Sequence, residues 1–170
     1  MVIDKYNCDR CQAEVRYWFR LRFYQLADDI TCTLSDERVW CYDCNTLRSA
    51  ESFPSADFLN ELIEILRSGE LPTWEVEYLS ILERSKDEWI AELLKEAVVR
   101  LRWLETRQSP PRCLECGSTN FVHLPERPKV VDNLFEHPGC GGTFHLTVQT
   151  FAREIGIPVY DAEGNRLNDF

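Results

Sequence analysis

The chain lacks the features that place a protein in or across a membrane. No apolar run approaches the roughly 20 residues that a helix needs to cross a bilayer. No early stretch joins a basic start, an apolar core and a small-residue cleavage site, the pattern of an export signal. A fixed-period repeat is absent too, which argues against a solenoid or a propeller. Basic charge is in short supply: 19 Lys and Arg stand against 29 Asp and Glu, a formal net charge of −10. Such a field repels phosphate backbones at long range and disfavours nucleic acid as a partner. These absences predict a cytoplasmic protein with no membrane partner.

Cysteine is what the chain has instead. Six of its 8 cysteines form C-x-x-C pairs, at Cys8/Cys11, Cys41/Cys44 and Cys113/Cys116. His137-Pro138-Gly139-Cys140 makes a fourth pair of the same length, and Cys32 is left over. Without an export signal, such pairs point to metal or redox chemistry rather than to disulfides. A C-x-x-C pair puts two sulfurs on one tight turn, and two turns complete the tetrahedron that zinc favours. Taken in chain order the sets are C-x2-C-x29-C-x2-C (Cys8, Cys11, Cys41, Cys44) and C-x2-C-x20-H-x2-C (Cys113, Cys116, His137, Cys140). Two zinc ions per chain are expected, one in each set, and their thiolates would bring the net charge to about −13. His145 and His123 are the alternatives to His137, and iron or a redox dithiol the alternatives to zinc. Gly117, Gly141 and Gly142 follow the second set, where a knuckle turn needs freedom in φ, and Asn45 tolerates a left-handed φ after Cys44. Cys32 reads as a small buried residue.

Cys113-Leu-Glu-Cys116-Gly117 with His137-Pro-Gly-Cys140-Gly141-Gly142, and Cys8/Cys11 with Cys41/Cys44, resemble zinc ribbons of the broad zinc-ribbon and rubredoxin-like class. Cys44-Asn45-Thr46-Leu47 running towards a helix resembles a treble clef instead. The likeness covers the two ends and not the middle. It implies a fold and a metal but no particular partner, since ribbons serve many functions.

The expected architecture is α+β, with two small β-rich zinc-ribbon modules at residues 1–50 and 109–170 flanking a helical segment at 51–108. In the first module residues 14–26 alternate and predict one strand, with Val15, Tyr17, Phe19, Leu21 and Phe23 on one face and Arg16, Trp18, Arg20, Arg22 and Tyr24 on the other. A short strand is expected at 30–34, and Arg38-Val39-Trp40 leads into the second pair. Ser55 and Ser85 are N-cap candidates, the latter opening the capping box Ser85-Lys86-Asp87-Glu88. Gly69 ends the first helix and Pro72-Thr73 opens a second. Trp89, Ile90, Leu93, Leu94, Ala97, Leu101 and Leu104 give a third its apolar stripe. Residues 121–124 and 143–151 read as strands, the latter with Phe144, Leu146 and Val148 on one face. Val159-Tyr160 and the turn at 162–165 close the chain.

Both ligand sets are complete, and no Glu is placed as the general base of a hydrolytic zinc motif. The expected function is therefore non-enzymatic: a zinc-stabilised protein that binds another protein, as adaptor, regulator or inhibitor. The alternative is nucleic-acid binding through Arg16, Trp18, Arg20, Arg22 and Tyr24, with Arg10 on the first knuckle, because arginines interleaved with aromatics hold phosphates and stack bases. The bland reading of that face is a set of arginines paired with acidic helices. The helical acids (Glu61, Glu64, Glu92 and Glu96 among them) read by default as a solvated face.

Overall fold

The first strand, β1 (Val2–Cys8), is central to one of three sheets. Its alternation puts Asp4, Tyr6 and Cys8 inward, all buried. A hairpin turn made by the first C-x-x-C pair returns the chain as β2 (Glu14–Phe19). The strand on the other side of β1 comes from the far end of the chain. This is β9 (Thr143–Phe151), paired antiparallel from Val2↔Phe151 to Cys8↔Phe144. The short β8 (Phe135–Glu136) completes a sheet in the order β2-β1-β9-β8. The second sheet has the order β11-β10-β3-β4, from β3 (Phe23–Ala27), β4 (Ile30–Thr33), β10 (Pro158–Asp161) and β11 (Arg166–Asp169). In the third, β5 (Asp36–Cys41) lies between β6 (Thr46–Glu51) and β7 (Phe121–His123). The computed structural model from which these elements are taken describes residues 2–27, 30–73, 75, 85–124, 135–151 and 156–169.

Two helices lie among the described residues. Helix α1 (Ala56–Arg67) begins where Ser55 accepts a hydrogen bond from the Phe58 amide at 3.1 Å, and Gly69, at φ +78°, follows its end. Helix α2 (Lys86–Thr106) begins where Ser85 accepts from the Glu88 amide at 3.3 Å. Both caps satisfy backbone donors that the first turn leaves open. The expected helix opened by Pro72-Thr73 lies mostly outside the described residues, and so do Asp28-Asp29, whose sequence reads as a turn, and residues 125–132, which read as a loop. Helix α2 buries Ala97 and Trp103, while the rest of the expected stripe is half-buried. Trp103 stands outside that stripe, yet it packs on Tyr24 at 4.5 Å and Phe53 at 5.2 Å, and its indole N–H donates to the Ala162 carbonyl. This helix therefore lies against the second sheet, with Cys32, Leu34, Leu114 and Tyr160 in the same core.

The mixed α+β character is as expected, but the ends do not form consecutive modules. Each end of the chain contributes strands to shared sheets, because β1 pairs β9 and β5 pairs β7. Residues 14–26 do not form one strand either. They break at Arg20–Arg22 into β2 and β3, which belong to different sheets. Alternation holds through Trp18 and then changes phase, so Arg22 and Tyr24 are buried while Leu21 is exposed. A similar shift corrects the face drawn for β9. An extra residue at Thr147 sits between the pairs Tyr6↔Leu146 and Lys5↔Val148, and a β-bulge reverses which face later residues occupy. Phe144 is thus buried and Val148 exposed. Residues 46–51 form a strand rather than leading into a helix, so the treble-clef likeness does not hold.

The third sheet ends in a buried charge cluster. Glu51 closes β6 with none of its surface exposed. Its carboxylate accepts from the Tyr24 hydroxyl at 2.6 Å, the Arg107 guanidinium at 2.7 Å and the Arg112 amide at 3.1 Å. Arg107 also donates to the carbonyls of Ala162 and Glu163 and lies over the Phe53 ring at 4.6 Å. One carboxylate thus joins β3, β6, the end of α2 and the last hairpin.

Candidate metal centres

Four knuckle turns carry the ligands, and they share one backbone device. The residue after the second ligand has a positive φ in each: Gln12 at 61°, Asn45 at 48°, Gly117 at 73° and Gly141 at 67°. That conformation turns the chain back under the sulfurs. Three of the four residues, Asn45, Gly117 and Gly141, are types that adopt it readily, and Gln12 is the departure.

The knuckles combine in a nested order and not in chain order. Cys8 and Cys11 meet His137 and Cys140, while Cys41 and Cys44 meet Cys113 and Cys116. Within each set all ligand atoms lie within 4.8 Å of one another. The outer set has Cys8 Sγ to Cys140 Sγ at 3.5 Å, and His137 Nδ1 to Cys11 Sγ at 3.3 Å and to Cys140 Sγ at 3.1 Å. The inner set has Cys41 Sγ to Cys116 Sγ at 3.6 Å. Tetrahedral zinc with sulfur about 2.3 Å away would place its sulfurs about 3.8 Å apart, so both sets fit a metal ion of that size. The expected grouping by chain order is therefore corrected. Long-range pairing is the cause: β1 against β9 brings the first knuckle to the last, and β5 against β7 brings the middle two together.

His137 is the histidine of the outer set. Its ring is buried between Trp40 at 4.8 Å and Phe144 at 4.6 Å, which fixes its plane. His145 and His123 are elsewhere, beside Asp9 at 3.6 Å and Glu37 at 2.9 Å respectively. Residues inside the knuckles lock partners together. Asp9 accepts from the Thr143 amide at 2.8 Å, which holds its carboxyl below the usual range, and Arg10 donates to the Cys140 carbonyl at 2.6 Å. Asn120 donates to Asp43 at 3.0 Å across the inner set.

The thiols are not alike. Burial pushes Cys8 up, but the amides of Cys11 and Arg10 outweigh it and bring the thiol down to about 6. Burial prevails at Cys44, pushed up to about 11, and also raises Cys113 and Cys140. A cation takes all of these ligands as thiolates, so its entry releases protons from the raised ones. Cys32 belongs to neither set. It is buried, and desolvation pushes its thiol up to about 11.

Gly142 shows how tightly the outer knuckles meet. A Cβ there would lie 2.7 Å from Cys8 Sγ and 2.6 Å from Arg10 Cβ. Gly142→Ala is expected to weaken metal at the outer site and leave the inner site intact. Chelator competition should show one ion leaving earlier than in the parent chain.

The six residues expected to form a binding face are not on one surface. Arg10 is engaged at the outer knuckles. Arg22 is buried and paired with Asp36 at 2.8 Å, and Tyr24 is buried beside Glu51. Arg16, Trp18 and Arg20 remain accessible, with Arg20 over the Trp18 ring at 5.2 Å and Arg16 paired with Glu14 at 3.1 Å. Arg16 and Arg22 pair with acids of the strands rather than of the helices. Trp18 is 42% exposed, whereas Trp40 and Trp103 are buried. The accessible residues line a cavity that also draws on Arg48, Glu115 and Arg166, none of which the strand pattern marked. No helix among the described residues is long and apolar enough to cross a membrane. Comparison with family models, with curated proteins and with solved structures finds no match.

Proposed function

We propose that the chain is a zinc-stabilised, non-enzymatic protein of the zinc-ribbon type, in which two zinc ions hold the fold and the surface binds a partner protein. The observation that carries this reading is the completeness of the two ligand sets, four protein ligands each. A closed tetrahedron leaves no coordination position for water or substrate, the mark of structural rather than catalytic zinc. Each ion joins segments far apart in sequence, so its work is that of a cross-link. Cobalt substitution tests this. Both sites should give the intense visible bands of tetrahedral thiolate coordination, at two ions per chain. A five- or six-coordinate spectrum, or one ion per chain, would overturn it.

The partner surface is proposed at one end of the first sheet. Phe19 and Phe151 both oppose Val2, so they share the face that carries Tyr6 and Tyr17, beyond the cover of the core. Phe151 is 81% exposed, Phe19 and Leu21 less so. Clustered exposed aromatics of this kind mark interaction sites. In affinity capture, Phe151→Ser should lose a specific bound protein that the parent chain retains, with metal content and melting temperature unchanged. An identical captured set would remove this surface from the proposal.

A further inference from the structure

We propose that the cavity between β2 and β6 binds a small phosphate-bearing ligand with a flat ring, of the nucleotide class. Its volume is about 310 Å³, within the range of small-molecule sites. Five arginines line it, Arg16, Arg20, Arg22, Arg48 and Arg166, with Glu115 in the lining and Glu14 and Asp36 behind it as partners of Arg16 and Arg22. In a chain of net charge −10 this concentration of positive charge is local and opposed to the whole. It draws on four separate places in the chain: β2, the break after it, β6 and β11.

The arginines are held in distinct ways. Arg22 is fixed by Asp36 at 2.8 Å and Arg16 by Glu14 at 3.1 Å. Arg48 bears on the Cys44 thiol, and its Nε is buried with no hydrogen-bond partner among the described residues. Guanidinium forks match the oxygens of a phosphate in pairs. Trp18, on the same wall and already stacked with Arg20, offers a face for a planar ring. Size and charge together select the ligand. A cavity of this volume admits one nucleotide, whereas a long polyanion would meet the acidic remainder of the surface. The inference stands apart from the partner-protein reading, which rests on Phe19, Leu21 and Phe151.

The test is calorimetric titration of the full metal-loaded chain, at low salt, with ADP, inorganic phosphate and a single-stranded DNA 12-mer. ADP is expected to bind, more tightly than phosphate. Arg20→Glu and Arg166→Glu should each weaken ADP roughly tenfold or more, with two metals per chain and the circular dichroism spectrum retained. Trp18→Ala should weaken ADP and leave phosphate unchanged. Absence of ADP binding, or ADP binding unaffected by both arginine substitutions, overturns the proposal. Tighter binding of the 12-mer than of ADP through the same arginines would also overturn it, by assigning the cavity to a nucleic-acid strand.

Discussion

Replacing Cys8 and Cys41 together by serine is expected to remove both metal ions and unfold the chain. Each residue serves a different site in the nested arrangement, since Cys8 belongs with His137 and Cys41 with Cys113. Grouping in chain order would put both cysteines in one site and predict the loss of a single ion. The paired control is Cys8→Ser with His137→Ala, which removes two ligands of the same site and should cost one ion only. Structural zinc contributes about 10–16 kcal/mol to small zinc domains. A chain of this size has a net stability of about 5–15 kcal/mol, so loss of both ions exceeds what the remaining contacts supply. Native mass spectrometry counts the ions, and far-ultraviolet circular dichroism follows the fold. Retention of one ion in the Cys8/Cys41 variant would reject the nested pairing.

Glu51→Ala is expected to be the most damaging single change away from the metal. The variant leaves the Arg107 guanidinium, 2% exposed, without its carboxylate, and deprives the Tyr24 hydroxyl and the Arg112 amide of their acceptor. Breaking a buried pair on one side costs about 3–5 kcal/mol, mostly for the charge left behind. For this length that lowers the melting temperature by roughly 10 °C. Glu51→Gln keeps one acceptor oxygen, for the tyrosine or for the amide but not for both, and loses the charge, so it should fall between. A thermal melt of the metal-loaded variants measures both. A shift under about 2 °C for Glu51→Ala would show that the cluster contributes little. Gly164 belongs to the same device: a Cβ there would run into the Glu51 carboxylate, so Gly164→Ala should destabilise as well.

What the residues disclosed, and what they concealed, divides by distance along the chain. The knuckles, the left-handed Asn45 and the caps at Ser55 and Ser85 each depend on a few consecutive residues, and all appear as read. All eight expected ligands stand in the two clusters. Their partnership was not legible, because a C-x-x-C pair completes a tetrahedron with any other pair. The choice belongs to strand pairings remote along the chain, such as Val2 with Phe151 and Val39 with His123. Alternation failed at two places for a related reason. The break at Arg20–Arg22 and the bulge at Thr147 each shift the phase, and neither carries a glycine or proline to announce it. Glu51 was missed because an acid after Ala50 looks like any surface residue. Only Tyr24, Arg107 and Arg112, remote in sequence, make it a core group.

The nesting also sets an order of events. Cys11 and His137 are 126 positions apart, Cys41 and Cys116 only 75. The inner set is the first to be complete during synthesis, and it closes the smaller loop. Once they have done so, the path between the outer knuckles no longer includes the helical segment and shrinks to the strands on either side. The entropy of closing the outer loop falls accordingly. Two ions in these sites would therefore act as successive teeth of a zip, with the inner one making the outer one easier to set. Until Cys113 leaves the ribosome, however, the only knuckle partner for Cys8 and Cys11 is Cys41 and Cys44. A metal ion bound that early would sit in the wrong foursome and would have to change hands before β1 could meet β9.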